Sequence, residues 1–208
     1  MRARGFTLIE LVLVLAILGT VAALGVARLG AGIDSDRHAA FARELAATLQ
    51  QAADRARLAG RRHRVKVEPT ASRLSVEEED DPLDHPDVWS EVQSAWAHRR
   101  AFATGVAVPE LVLDADAVEL AQLVPLADVT ELWVEYDPEG VHRVVCEGLE
   151  LATDDAPLAE LVLSGPAGDP PLVVRLEPTG VVRVWTATER AAHFTTLGVT
   201  PLGAEGAK

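Results

Sequence analysis

Glu10 is the only charged residue between Phe6 and Ala27, in the most apolar stretch of the sequence, which begins RGFTLIELVLVLAILG at Arg4. A carboxylate at the centre of a bilayer costs about 2.5–3.5 kcal/mol on insertion scales, and less near one end of the span. A cation beside it would lower that cost. The chemistry open to Glu10 is therefore ion pairing with a cation from outside this segment, or snorkelling of the carboxylate to the membrane surface.

The histidines and the single cysteine, Cys146, form no recognisable catalytic or metal-binding pattern. No two histidines have HxxxH spacing, and no glycine-rich phosphate loop or GxSxG motif occurs. Cys146 lies in a predicted strand, where a small buried apolar role is expected. We therefore predict no catalytic residue, no metal and no cofactor. The rival from another functional class is a membrane-anchored hydrolase, which a pocket with Ser or Asp beside a His would support.

The segment around Glu10 has the length of a membrane helix. Phe6 to Ala27 gives 22 residues, close to the ~20 that cross a bilayer. Arg2 and Arg4 precede it and predict a cytoplasmic N-terminus. Three interpretations are open: a secretory signal cleaved near residues 21–23, a plain anchor, and a helix in which Glu10 is a functional charge that awaits a partner. The first fits neither the length nor the early acid, and the second leaves the acid unexplained.

Residues Gly5 to Leu11, GFTLIEL, resemble the cleavage and methylation motif of type IV prepilins and type II secretion pseudopilins. The resemblance implies that a prepilin peptidase cuts between Gly5 and Phe6 and methylates the new Phe6 amine. Glu10 is then an assembly residue that pairs with the Phe6 amine of a neighbouring subunit, so that each charge lowers the cost of the other. The residues expected to pack against equivalent helices of neighbours are Val12, Leu15, Ile17, Leu18 and Val21.

A long helix must carry these residues. Its first half is apolar on all sides, and its second half carries an apolar stripe with helical spacing. Gly60 is expected to cap the helix, which would then be about 80 Å long. No proline occurs before Pro69, so no sharp kink is expected. The stripe consists of Phe41, Leu45, Leu49, Ala52, Ala56 and Ala59.

Beyond Gly60 the pattern changes to alternating strands. Strands are predicted at 64–69 and 73–78, and hairpins at 132–145 and 172–185. Both hairpins contain an acid-Pro-x-Gly turn, in which proline presets φ and glycine takes the left-handed position. A long helix followed by mainly antiparallel strands predicts an α+β fold.

Other segments of the domain are less sharply defined. Residues 88–102 suit a short helix but also fit a strand, and 105–114 reads as a strand interrupted at Pro109. Residues 116–126 form either a short helix or a loop, and 158–165 another strand. No strong pattern follows Trp185.

The net charge of −13 disfavours nucleic acid as a partner. One basic cluster keeps DNA binding open; its alternative is pairing with the acidic segment 77–87 or with neighbouring subunits. That acidic segment is expected to be a solvated loop, because it lacks the regular spacing of a calcium-binding EF-hand loop. The basic cluster consists of Arg55, Arg57, Arg61, Arg62, Arg64 and Lys66.

Residues 44–60, the strands that follow them, and the hairpins at 137–140 and 179–184 resemble the GspH/FimT-type minor pseudopilins. The resemblance implies a pseudopilin fold and a subunit of a type II secretion pseudopilus. The alternative within the family is a FimT-like minor type IV pilin that acts in pilus initiation or DNA uptake. From Thr186 onward the only basic residues are Arg190 and Lys208, so DNA is an unlikely partner.

The expected organisation follows from these assignments. Residues 1–5 are a leader, 6–32 a transmembrane and assembly helix, and 33–60 its amphipathic continuation. Residues 61–200 form a periplasmic β-rich domain, and 201–208 a flexible tail. The chain would be a single-pass inner-membrane protein, and its partners would be the prepilin peptidase, other pilin-like subunits and a secreted substrate.

Overall fold

The computed structural model describes residues 8–97, 99–113, 122–147, 158–166 and 169–197. Within them, the side chains of residues 10, 22–34 and 122 lie outside the description. The described part consists of one long helix, two antiparallel sheets and a second, short helix, so the predicted α+β fold is confirmed.

The long helix, α1 (Leu8–Ala59), runs for 52 residues without interruption, in agreement with the absence of proline. Gly60 caps it with φ +65°, and its N–H donates to the carbonyl of Ala56 at 3.0 Å. The predicted stripe is buried with the exception of Ala59, which is exposed because it belongs to the last turn. Three further alanines are buried because both sheets contact the helix: Ala42, Ala46 and Ala53.

The strands form two sheets. Sheet A has the order β3-β2-β1-β7-β8, with β4 also paired to β2, and sheet B has the order β11-β10-β9-β5-β6. The strands are β1 (His63–Glu68), β2 (Arg73–Asp81), β3 (His85–Glu91), β4 (Arg100–Ala101), β5 (Ala107–Leu113), β6 (Gln122–Pro125), β7 (Leu132–Tyr136), β8 (His142–Cys146), β9 (Ala159–Ser164), β10 (Leu172–Leu176) and β11 (Val182–Thr186).

The core lies between α1 and the inner faces of the sheets. In sheet A, Val65 of β1 stands opposite Val76 of β2 and Val134 of β7, and all three are buried. In sheet B, Leu161 of β9 stands opposite Val174 of β10. Apolar residues alternate with polar ones along these strands, so each sheet turns one apolar face toward the helix.

Both predicted hairpins are confirmed, as β7–β8 and β10–β11. Their turn glycines, Gly140 and Gly180, both have φ +80°. The predicted interruption of a strand at Pro109 is also present, as a register shift between Ala107 and Glu110 of β5. Proline cannot donate a ladder hydrogen bond, which accounts for the shift.

The prediction of a solvated loop at 77–87 is wrong. Most of this acidic segment belongs to β2 and β3, which form a hairpin around residues 82–84. Carboxylates of β2 lie beside arginines, which removes the repulsion that would keep such a run in solvent. The neighbouring segment, 88–102, contributes the end of β3 and β4 rather than a helix. Of 116–126, residues 122–125 form β6, and 116–121 lie outside the described residues.

A second helix, α2 (Ala187–Leu197), follows β11, where no pattern was predicted. The backbone N–H of Thr186 donates to Glu189 Oε2 at 2.8 Å, and the N–H of Glu189 donates to Thr186 Oγ1 at 3.2 Å. This reciprocal pair is a capping box, whose Thr-x-x-Glu signature is readable in the sequence. Phe194 of α2 is fully buried against Val112 of β5.

Candidate functional site

The predicted assembly site, which consists of Gly5, Phe6 and Glu10, lies largely outside the part of the chain that the structure describes. Gly5 and Phe6 precede Leu8, where the description of α1 begins. Glu10 lies on α1, and its side chain is outside the description. The cleavage site, the methylated amine and the ion pair of Glu10 therefore stay predictions.

The segment of α1 from Leu8 to Val21, here called the stem, exposes apolar side chains on all sides. The predicted packing residues are all exposed, and so are their apolar neighbours on the other faces of the helix. A continuous exposed apolar surface of this kind marks a contact with a membrane or another protein. The exposed packing residues are Val12, Leu15, Ile17, Leu18 and Val21.

Thr20 keeps its polar group within the stem. Its hydroxyl donates to the carbonyl oxygens of Ala16 and Ile17, at 3.0 and 2.8 Å. A hydroxyl bonded to its own helix needs no outside partner, so Thr20 is compatible with an apolar environment. Among the described residues, no helix combines the length and apolar content of a membrane span.

The basic cluster is engaged within the chain. Arg62 donates to Glu79 at 3.0 Å and to Asp87 at 2.7 Å, and Arg64 donates to Glu77 at 2.6 Å. The hydrogen bond from Arg62 holds the pKa of the buried Glu79 carboxyl below its usual value. In turn, Glu79 raises the pKa of the Arg62 guanidinium. The acidic segment thus neutralises these two cations.

The remaining members of the cluster also have partners on this chain. Lys66 pairs with Glu131, and Arg61 donates to the carbonyl oxygen of Asp80 at 2.8 Å. The Arg55 guanidinium lies 5.8 Å from the ring centre of Trp96. These contacts favour the internal-pairing interpretation of the cluster over a DNA-binding one.

Arg57 joins the two hairpin turns at the C-terminal end of α1. Its guanidinium donates to the carbonyl oxygens of Glu139, at 3.3 Å, and Gly140, at 3.4 Å. A Cβ atom on Gly140 would lie 2.0 Å from Arg57 Nε, and one on Gly180 would lie 2.8 Å from Arg57 Nη2. Positive φ favours glycine at both turns. A Cβ at Gly140 would displace the Arg57 side chain, and one at Gly180 would also meet the carbonyl oxygen of Gly140 at 2.8 Å.

Replacing Gly140 by alanine is expected to destabilise the domain by about 1–3 kcal/mol, because alanine resists this φ and its Cβ displaces Arg57. Gly60→Ala is the matched control, since φ is also positive there and no atom lies within 4 Å of the added Cβ. Denaturant unfolding of the full chain in detergent measures both. Equal losses in the two variants would show that the Arg57 contact contributes nothing.

A buried ionic cluster in sheet B has no counterpart in the sequence-based predictions. Glu160 of β9 is completely buried and accepts hydrogen bonds from Arg175 of β10 at 3.0 Å and from Arg190 of α2 at 2.8 Å. The Arg175 guanidinium lies 4.5 Å from the ring centre of Trp185. The cluster fastens α2 to the outer face of the sheet. No pattern in the strand around Glu160 indicates its partners.

Two imidazole–carboxylate pairs occur among the described residues: His38 Nδ1 lies 3.9 Å from Asp169 Oδ2, and His63 Nε2 lies 3.6 Å from Glu78 Oε2. The first is the Asp–His combination that the hydrolase interpretation requires. His38 is buried against the backbone of Gly165, where an added Cβ would lie 2.4 Å from its Nδ1. Cys146 is buried in β8 as predicted, and burial raises the pKa of its thiol to about 11.

No curated protein matches the sequence. Two structures of the minor pseudopilin EpsH from the type II secretion system of Vibrio cholerae are similar to the chain, each at 16% identity. One has a TM-score of 0.44 and covers 70% of this chain and 93% of EpsH. The other has a TM-score of 0.46 and covers 72% of this chain and 94% of EpsH.

Residues 1–26 match the model of the prokaryotic N-terminal methylation motif, which confirms the motif recognised in the sequence. The chain therefore carries a prokaryotic N-terminal methylation motif, followed by an α+β domain.

Proposed function

We propose that the protein is a minor pseudopilin of the GspH type, a structural subunit of a type II secretion pseudopilus rather than an enzyme. The observation that carries the proposal is the methylation motif at residues 1–26, which leads into a stem that is apolar and exposed on all sides. A membrane anchor alone would explain the apolar surface, whereas a subunit that assembles through its helix explains both this surface and the methylation motif in front of it.

Maturation creates the charge that Glu10 needs. A prepilin peptidase cuts between Gly5 and Phe6 and methylates the new amine, which stays positively charged. The Glu10 carboxylate of one subunit then meets the Phe6 amine of its neighbour at the edge of the hydrocarbon. Either charge is costly alone, and together they also set the axial offset between parallel stems.

Packing between stems adds to the ion pair in holding neighbouring subunits together. The exposed side chains at 12, 15, 17, 18 and 21 pack against equivalent helices, mainly through van der Waals contact. The basic leader orients the precursor in the inner membrane with a cytoplasmic N-terminus and a periplasmic domain. In the mature filament the domain faces outward, toward other pilin-like subunits or a secreted substrate.

A FimT-like minor pilin would use the same N-terminal chemistry, so the two functions differ in the domain. DNA uptake requires accessible cations. Arg62, Arg64 and Lys66 of the basic cluster pair with carboxylates of this chain, and Arg190 is bonded to the buried Glu160. These contacts support a role in secretion over one in DNA uptake.

Mass spectrometry of the native product tests maturation. The expected N-terminus is Phe6 carrying one methyl group, and Gly5→Leu is expected to leave the uncut precursor because the bulky side chain blocks the peptidase. Gly19→Leu is the control, since a side chain at Gly19 meets no atom within 4 Å and lies far from the cut. A native product that retains Met1, or normal processing of Gly5→Leu, would refute the proposal.

A further inference from the structure

One end of the domain is formed by the C-terminus of α1 and by three connections between strands. His63, at the start of β1, stands opposite Glu78 of β2 and Tyr136 of β7, so the β2–β3 and β7–β8 turns lie at this end. The β10–β11 turn joins them, because Gly180 lies against Arg57 and the carbonyl oxygen of Gly140. The stem leaves the domain at the opposite end.

Exposed apolar side chains are concentrated at this end. Leu58 and Leu83 are 82% and 92% exposed, and three valines at this end are exposed as well. A group of exposed apolar side chains, unlike a single one, marks a contact surface. Outside the stem, Leu123 of β6 is the one large exposed apolar side chain described elsewhere, on the edge of sheet B far from β11. We call the apolar group at this end the distal surface; it consists of Leu58, Leu83, Val88, Val141 and Val181.

We propose that the distal surface is a docking site for a different pilin-like subunit, one that presents an apolar face surrounded by basic side chains. The inference rests on the proposed function, because it requires that the chain assembles with other subunits through parallel stems. It goes further by naming the part of the domain that recognises the partner and the chemistry that the partner must offer.

Charge selects a basic partner. Leu83 lies at the tip of the β2–β3 hairpin between the exposed Asp80 and Asp84, with Asp81 beside them. The backbone N–H groups of Asp84 and Leu83 lower the pKa of Asp81, so this carboxylate stays charged. The two nearest cations are Arg61, which donates to the carbonyl oxygen of Asp80, and Arg62, which pairs with Glu79 and Asp87. The five carboxylates around the hairpin outnumber these two cations; they are those of Glu79, Asp80, Asp81, Asp84 and Asp87. A partner with basic side chains around an apolar face complements this arrangement.

The same charges argue against a second copy of this chain as the occupant. The chain has a net charge of −13, and its basic cluster is engaged internally. Contact between two copies at the distal surface would therefore place carboxylates near carboxylates, and like charges at an interface are costly. Parallel stems put the distal surface at the far end of each domain, where a subunit of another kind can reach it.

Photo-crosslinking of the full chain in its native cells tests the site. A photoreactive residue replaces Leu83 or Val141, and the same residue at Leu123 is the control. Crosslinks from 83 and 141 are expected to a protein with its own N-terminal methylation motif and a basic domain, at a yield about tenfold above that from 123. Asp84→Lys is expected to lower the yield at Leu83. Equal yields at 83 and 123, or crosslinks only to a second copy, would overturn the proposal.

A photoreactive residue at Val14 of the stem separates this proposal from the proposed function. Crosslinks from Val14 to motif-bearing subunits, without any from positions 83 and 141, would refute docking at the distal surface and leave stem assembly standing. Absence of crosslinks from all three positions would refute both. Crosslinks from 83 and 141 to a protein without the motif would refute the predicted class of partner.

Discussion

Glu10→Ala is expected to abolish incorporation into the filament while cleavage after Gly5 continues. In the proposed maturation the peptidase cuts the Gly5–Phe6 bond, which this substitution leaves intact. Without the carboxylate, the Phe6 amine of each neighbour lies in the hydrocarbon edge with no counter-ion. An unpaired charge costs about 2.5–3.5 kcal/mol at the centre of a bilayer and less near its edge, and the contact that sets the axial offset between stems is also lost, so subunits of this variant are expected to stay in the membrane as monomers.

Two measurements made together test this expectation. The mass of the variant reports cleavage, and shearing or crosslinking of assembled filaments reports incorporation. Thr20→Ala is the matched control, because Thr20 is the other polar stem residue and bonds only its own helix. It should assemble normally. Normal assembly of Glu10→Ala would contradict the pairing of Glu10 with the Phe6 amine.

Glu160→Ala is expected to destabilise the domain by about 3–5 kcal/mol, the usual cost of removing one partner from a buried ion pair. In this variant the guanidinium groups of Arg175, on β10, and Arg190, on α2, lose the carboxylate that they share. Because Arg190 belongs to α2, that helix should also loosen from sheet B. Unfolding by denaturant measures the loss, and amide hydrogen exchange of residues 187–197 reports loosening of the helix.

Glu110→Ala is the control for this prediction, since Glu110 lies in the same sheet and is partly exposed. Its effect is expected to stay within about 0.5 kcal/mol. Replacing Glu160, Arg175 and Arg190 together by Leu, Met and Leu is expected to recover most of the lost stability, because no buried charge then remains. A loss for Glu160→Ala no larger than that for Glu110→Ala would show that the cluster contributes no stability.

Local rules were sufficient for the parts of the fold in which neighbouring residues decide the structure. The helical spacing of Phe41, Leu45 and Leu49 predicted a buried stripe, and the structure confirms it. The cap at Gly60 and both acid-Pro-x-Gly turns follow from the freedom of glycine at positive φ. The methylation motif is of the same kind, because it lies within residues 1–26.

Helix α2 could also have been found from the sequence. Its capping box is local, but the residues that follow, ATERAAHFTTL, have only a weak apolar stripe because a single buried aromatic, Phe194, anchors the helix. The capping box marks the start of the helix, but its apolar residues are too widely spaced to form a recognisable helical pattern.

By itself the sequence determined the motif with Glu10, the long helix and its stripe, the hairpins and the α+β class, because each depends on residues close together in the chain. Tertiary structure alone decided that the acidic segment becomes strand, that Arg57 joins two turns, and that Glu160 holds two arginines. Those contacts join residues separated by 17, 82 and 30 positions, respectively. No local sequence pattern indicates which distant residue will neutralise a charged side chain, because the pairing depends on the register of the sheets.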